Sequence, residues 1–574
     1  MHAWPDEQPL QERLERKLAL KLTHTLHLLL ERTCAVQNMS VFISTDYTHL
    51  EPLQVSLLRR VLSKSLHRVE KPVPVVLDTQ LDDYLGPRVQ LQLLFAQNAE
   101  QVIATASTAH KSKFVIVLFT SRQSWGTQRR IMTNIFSYFL HQRYIIDVVL
   151  LLAHTSQATL QSYTFQPYTR RLCESTRPLM LPKRALSAGQ PFPHKLQQFY
   201  GCPISVIVWQ IPPYLEIRWN ASTPNERIDG LDADILKLVA AKLNFSLRLV
   251  SNEPSNLIGG STYANGSMTG AYRMLRERRA NITLGCAACT SARSQYLTPT
   301  LPYFQMQYVI VLLATQNYSA YDIMLFPFDK YTWLLLGISG LLRFLLKRWL
   351  GRTLPLLLSR PPQSIWLALI FVLRSSYESS VFEFVHNAPA KPMPRTIQEL
   401  MDRGYKIIAD HATYRMTEAM PRLNRITRVV PGQPVDVFHL LDEQPMLTGA
   451  FSSKTFLAYH LTKFRQQRGK YAILDEKVVD NMICMYFPYD SYLASVVNTQ
   501  VIRLRSFGIF NQFFKRFDFG TLPPMTAEIR RGTPRGKGRT SDFDESMRFL
   551  RAALNCLFMV EGLAFCVFVF EPYM

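Results

Sequence analysis

At 574 residues the chain has room for several domains with full cores, so size alone excludes nothing. Hydrophobic residues make up 47% and aromatics 11%, and the net charge of +22 suits a membrane surface or a nucleic acid. No RNP signature, zinc-finger spacing or basic heptad helix accompanies that charge, and its clusters at 343–352 and 530–539 read as solvated surface or membrane anchors, so nucleic acid is excluded as a partner.

In chain order, residues 1–33 lack a clean leader: LALKLTHTLHLLL at 18–30 carries Lys21 and two histidines, which leaves a poor apolar leader region or a different true start. Residues 41–200 then alternate short β-rich apolar runs with helical stretches. VFIST at 41–45, PVPVVLDT at 72–79, KFVIVLFTS at 113–121 and IDVVLLLAHT at 146–155 read as strands of a mainly parallel sheet, with no Gly-rich phosphate loop. A second α/β region begins near Gly201 with the strand SVIVWQ and a Pro212-Pro213-Tyr214 turn. Asp232 is placed to cap a helix whose apolar positions Ile235, Leu236, Val239, Ala240 and Leu243 keep the helical period, and LRLV at 247–250 follows as a strand.

Three segments are membrane candidates. Residues 552–570 form an apolar run of 19 residues with one charge, Glu561. Thr332 to Leu346 is interrupted by Arg343, and Ile365 to Val385 by Arg374, Glu378 and Glu383; intramembrane charges of this kind face water or one another, and Arg374 and Glu378 sit four apart on one helical face. The basic stretch Arg343, Lys347, Arg348, Arg352 and Arg360 is expected in the cytoplasm, which places 200–318 and 388–545 outside. Six glycosylation sequons, at Asn38, Asn220, Asn244, Asn265, Asn281 and Asn317, agree, since five of them fall within 220–317. After the membrane segments the α/β style resumes with KIIAD at 406–410, a helix from Thr413, the strand AILD at 472–475 and a helix from Lys477.

The eight cysteines give no dense framework. Cys286 and Cys289 form a lone C-x-x-C with no second pair, so no metal site and no cofactor are expected; the cysteines are buried thiols, or one bridges to Cys202. No nucleophile elbow, H-E-x-x-H or paired carboxylate set is present, His411 reads as a surface histidine, and the chain is not expected to be an enzyme.

Three fragments carry a family resemblance. They are RSQYLTPTLPYF from Arg293, SSYESSVFEF at 375–384 and GKYAILDE at 469–476. Their order resembles an ionotropic glutamate receptor, and more narrowly a divergent insect chemosensory ionotropic receptor. The fold this implies is α/β plus transmembrane helices: a bilobed clamshell like a periplasmic binding protein, interrupted by a channel pore, with a reduced α/β amino-terminal domain. The expected bounds are 1–200 for that domain, 201–318 for lobe S1, 329–387 for the first membrane helix, a short pore loop and the gate helix, 388–545 for lobe S2, and 546–574 for the last helix.

The resemblance also implies site residues. Arg293 matches the arginine that forks onto the ligand carboxylate, a role guanidinium geometry suits. Tyr214 matches the aromatic covering the ligand, Glu476 the acid receiving its ammonium, with Asp475 an alternative, and Asp410 to Thr413 the region that holds anions through backbone amides and a hydroxyl. In the gate sequence Ser376, Tyr377 and Phe384 are retained, and LGRTLP at 350–355 resembles the end of the pore loop.

The departures matter as well. The stretch 333–376 is several tens of residues short of the family's, Ala288 replaces a threonine of glutamate-binding members, and Cys484 has no later partner before Cys556, so the family's S2 bridge is expected to be missing. The implied function is a subunit of a ligand-gated cation channel in the plasma membrane of sensory dendrites, opened by a small, carboxylate-bearing taste or odour ligand and assembled as a hetero-tetramer with a co-receptor. The alternative is a non-conducting, membrane-tethered binding or assembly subunit.

Overall fold

The computed structural model describes residues 7–31, 40–45, 52–67, 75–77, 89–106, 113–120, 124–182, 184, 191–218, 227–252, 258–313, 320–350, 361–386, 393–444, 447–464 and 471–516. The segment 552–570, the linker 530–540 and the sequons Asn38, Asn220 and Asn317 lie outside them. The chain divides into two compact α/β units, one of residues 1–305 with 481–514, the other of 306–480 with 515–574.

The first unit opens with α1 (Glu7–Leu29), β1 (Ser40–Thr45), α2 (Pro52–His67), β2 (Val75–Leu77), β3 (Val89–Ala96), α3 (Ala99–Thr105), β4 (Lys113–Thr120), α4 (Trp125–Ser137), β5 (Val148–His154), β6 (Thr159–Phe165) and β7 (Pro178–Met180). These strands form one sheet in the order β2-β1-β3-β4-β5-β6-β7, parallel through β5 and antiparallel beyond. Alternation along β4 explains its unbroken apolar run. Val115, Val117 and Phe119 face the layer of Leu18, Leu22 and Leu26 from α1, while Phe114, Ile116 and Leu118 face the layer of Met132, Ile135 and Phe136 from α4.

The run 18–30, read as a poor leader region or a different true start, supplies the buried face of α1 through Leu18, Leu22, Leu26 and Leu29. Its lysine is accommodated because the Lys21 Nζ donates to the Ala158 carbonyl at 2.9 Å. At the far end of this sheet the buried Lys195 pins the chain that leaves it, donating to the Ile146 carbonyl at 2.6 Å and to Thr164 Oγ1 at 2.8 Å. Burial pulls that amine down to about 7, and the Asp147 carboxylate opposes the shift.

The rest of the first unit holds a parallel three-stranded sheet of Pro203–Val208 between Ser246–Ser251 and Ile282–Leu284. The helix Leu231–Leu243 crosses between strands and buries Ile235, Leu236, Val239, Ala240 and Leu243, as its periodicity predicts. Its N-cap is Gly230 rather than Asp232. Gly230 is required there, because it adopts φ +117 and a Cβ would meet the Tyr214 carbonyl oxygen at 2.5 Å. The chain returns to this unit at Asn481, where Tyr486–Pro488 pairs antiparallel with Leu297–Pro299 and the helix Tyr492–Ser506 follows.

In the second unit, Lys406–Asp410 lies parallel to Thr427–Val430 and Thr448–Ser453, and Phe304–Leu313 runs antiparallel to Thr448–Ser453 and Tyr471–Ile473. After Tyr471–Ile473 the chain forms the strand Val479–Cys484, not the helix expected from Lys477. Two long helices, Lys330–Leu350 and Pro361–His386, also belong here and expose large apolar side chains such as Leu335, Leu341, Phe371 and Phe382. Among the described residues no helix is long and apolar enough to cross a membrane.

Candidate functional site

Arg293 and Tyr214 lie in the first unit, Glu476 and Thr413 in the second. Arg293 sits in the one-turn helix Ser291–Ser294, whose N-cap Thr290 accepts the Arg293 backbone N–H. Its guanidinium is partly buried. Nη1 donates to the Ala288 carbonyl at 2.8 Å, and the guanidinium carbon lies 4.1 Å from the centre of the Tyr272 ring and 6.0 Å from that of Tyr486. Tyr272 is buried, so its phenol is raised, with the Arg293 charge opposing. Cations stack favourably on such ring faces, and the stacking fixes the plane of the fork.

The loop carrying Arg293 is fastened from the segment 482–486. Cys289 is disulfide-bonded to Cys484, and the Cys289 N–H donates to the Met482 carbonyl at 2.7 Å. The partner of Cys484 is thus upstream, 195 residues away in sequence, a pairing the sequence analysis did not anticipate. A second disulfide joins Cys173 to Cys202, so neither cysteine of the C-x-x-C bridges to Cys202, and Cys286 is the free thiol among the described cysteines.

Tyr214 follows the Pro212-Pro213 turn, but its side chain is fully buried and packs against Phe304 at a ring separation of 5.9 Å. Beneath the same loop lies an unforeseen cluster. The Asp232 side chain, fully buried, accepts from the Cys286 N–H at 2.6 Å, the Gly285 N–H at 3.2 Å and the Tyr303 hydroxyl at 2.8 Å. Burial raises its carboxyl to about 6 even though all three donors favour the anion. Burial likewise raises the Tyr303 phenol and the Cys286 thiol well above their ordinary values, and the Asp232 charge pushes both further.

In the second unit, the Glu476 Oε2 accepts the Ile397 N–H at 2.6 Å, and the Glu476 N–H donates to the Arg395 carbonyl. The exposed carboxylate thus caps the turn entering Ile397–Asp402. Thr413 is buried. Its hydroxyl donates to Asp410 Oδ1, and the Ala412 and Thr413 amides donate to Asp410 Oδ2 at 2.9 and 3.2 Å. The chain's own carboxylate therefore takes up the donors that an incoming anion would use, and burial raises Asp410.

Of the expected gate residues, Ser376 is exposed and Tyr377 is tied down: its hydroxyl donates to the Met324 carbonyl at 3.0 Å, and its ring lies 5.8 Å from Phe328 and 6.1 Å from Trp333. Phe384 lies about two turns further along the same helix. Arg374 Nε donates to Glu378 Oε1 at 2.8 Å, the pairing their spacing predicts. Among the sequons, Asn244 and Asn265 are exposed, while Asn281 Oδ1 accepts the Ser205 N–H at 3.0 Å.

Comparison with known proteins adds the following. Residues 15–197 match the family described as "Putative ionotropic receptor, ligand binding domain". The matched residues are those of the β1–β7 sheet and its helices, which the sequence reading assigns to the amino-terminal domain. No curated protein matches. Solved structures similar to the chain include an ionotropic glutamate receptor ligand-binding domain from Mnemiopsis leidyi in complex with D-serine, at 11% identity, and the Drosophila muscle GluRIIB complex with glutamate, at 12%. Each covers 55% of this chain and 98% of its own, at a TM-score of 0.37. On that match, residues 15–197 resemble the ligand-binding domain of an ionotropic receptor.

Proposed function

We propose that this chain is an ionotropic receptor, a subunit of a ligand-gated cation channel in the plasma membrane of chemosensory neurons. A small, carboxylate-bearing molecule engages Arg293 from outside the cell, and its binding opens the gate helix at Tyr377. The observation that carries the reading is the state of Arg293: a partly buried guanidinium, stacked on Tyr272, whose Nη1 donates to the Ala288 carbonyl. Such a fork suits a carboxylate. Glu476, exposed just after Tyr471–Ile473, is offered as an ammonium-binding acid; Tyr214, fully buried against Phe304, is not offered as a cover over the ligand. The helices Lys330–Leu350 and Pro361–His386 expose apolar residues suited to lipid contact, and 552–570 is offered as a membrane span on its sequence. Asn244 and Asn265 are offered as glycosylated, and assembly is as a hetero-tetramer with a co-receptor.

The test is whole-cell current from this chain coexpressed with a broadly expressed receptor subunit, against acids, amines and salts. Evoked inward current that Arg293→Ala abolishes supports the reading. Current that survives Arg293→Ala removes the carboxylate contact. Silence despite surface expression favours the non-conducting binding subunit, a reading to which the charges of Arg374, Glu378 and Glu383 in the gate helix also point.

A further inference from the structure

Two hydrogen bonds converge on one backbone oxygen beside the candidate site. The Ala288 carbonyl accepts both the Arg293 Nη1 at 2.8 Å and the Tyr486 hydroxyl at 2.9 Å, and the Tyr486 oxygen in turn accepts the Thr290 N–H at 3.0 Å. Tyr486 is fully buried, and its own N–H donates to Thr283 Oγ1 at 3.0 Å. One phenol thus ties the residues on both sides of Cys289, which the disulfide to Cys484 holds from two residues before that tyrosine. Tyr272 supplies the remaining restraint, its face 4.1 Å from the guanidinium carbon and its ring meeting Tyr486 edge to face at 5.8 Å.

A guanidinium on an ordinary side chain rotates, and ordering it costs a ligand part of the binding energy. We propose that Tyr486 and Tyr272 are positioning residues for Arg293: the phenol sets the Ala288 carbonyl that sets Nη1, the ring sets the plane, and the Nε–Nη2 edge is thereby held ready for a planar carboxylate. The carboxylate part of this inference rests on the function proposed above; the positioning part rests on the geometry alone. The consequence is selectivity by shape. A fixed fork rewards two coplanar oxygens and gains little from a single acceptor.

The test uses the full-length protein in detergent, under non-reducing conditions, with phenylglyoxal as an arginine reagent. Adduct formation on the Arg293 peptide is followed by mass spectrometry, with the Arg273 and Arg276 peptides as internal references. Tyr486→Phe and Tyr272→Leu are expected to speed the Arg293 reaction by about tenfold, the change that ~1.4 kcal/mol of lost restraint gives. Tyr272→Phe, which keeps the ring, leaves the rate unchanged, and all reference peptides stay constant. Acetate, as the simplest carboxylate probe, slows the Arg293 reaction in the wild type. Wild-type rates in both Tyr486→Phe and Tyr272→Leu overturn the positioning role. If Tyr486→Phe fails to fold, as shown by loss of the Cys289–Cys484 peptide, Tyr272→Leu decides alone. Faster reaction in the variants without acetate protection in the wild type keeps the positioning and removes the carboxylate.

Discussion

Tyr168 and Tyr492, 324 residues apart in sequence, meet hydroxyl to hydroxyl at 2.8 Å inside the first unit. One comes just after the last long strand of the seven-stranded sheet, the other begins the helix Tyr492–Ser506. Tyr144 packs beside Tyr492 at 6.1 Å, and the Arg278 guanidinium covers Tyr144 at 4.7 Å while donating to the His141 and Gln142 carbonyls. Burial raises both phenols of the pair, so each keeps its proton and each depends on the other for a partner. Tyr492→Phe is expected to cost ~1–3 kcal/mol, the desolvation penalty of a buried hydroxyl left without its bond. The double variant with Tyr168→Phe costs less than the sum of the single changes. A double-mutant cycle by denaturant unfolding reads that coupling, and simple additivity would contradict the pairing.

Asp232 makes the first unit's stability depend on pH in an unusual direction. Its carboxyl is raised from 3.8 to about 6 on folding, so between those values the folded state binds the proton and the unfolded state does not. The stability it contributes is complete below about pH 4 and is lost as pH rises through about 6, where it levels off. The shift corresponds to about 3 kcal/mol at neutral pH. The groups facing the carboxyl, Tyr303 and Cys286, stay protonated throughout this window because both are raised. Measured against Asp232→Asn, the wild type is expected to lose stability from pH 4 to pH 7. A difference that stays flat, or rises with pH, would sink the assignment.

How much of this was legible follows from how far each interaction reaches along the chain. The strands of the seven-stranded sheet were readable because both faces are covered, which leaves continuous apolar runs such as Phe114 to Phe119. The helix Leu231–Leu243 was readable from its period, but the fate of Asp232 was not: an acid in a first turn is ordinarily a solvated cap, and only the approach of Gly285, Cys286 and Tyr303 turns it inward. Gly285 offers the one retrospective signal, since at φ +130 a Cβ would strike the Trp209 ring at 2.7 Å. Arg293 was singled out by the family resemblance, and its stacking on Tyr272 was not foreseen. Tyr486 was not, because nothing in a single sequence distinguishes a strand tyrosine that spans a loop from one that fills a core.

The Cys289–Cys484 bridge closes a loop spanning 195 residues and belongs with Arg293 in one loop. Cys289→Ser with Cys484→Ser is expected to destabilise the first unit by ~2–5 kcal/mol. The Arg293 loop keeps its Tyr486 ties, so ligand response weakens and is not abolished. A non-reducing peptide map that pairs Cys289 with Cys286 or Cys202 instead would overturn the assignment.

The helix Glu7–Leu29 gives the most practical prediction. Leu18, Leu22 and Leu26 are each at most 1% exposed, and they complete the core layer formed by Val115, Val117 and Phe119. Leu22→Ala should therefore cost ~2–5 kcal/mol, the range for emptying a packed leucine site. Leu20→Ala, on the exposed side of the same helix, should change little. The contrast separates a core helix from an apolar leader, for which the two substitutions would act alike. It also bears on expression: replacing residues 7–29 with a heterologous secretion leader would uncover one face of the sheet, and the product is expected to aggregate. Fusing a leader ahead of Met1 leaves that face covered, and comparing the soluble yield of the two designs checks the packing of α1 independently of the unfolding data.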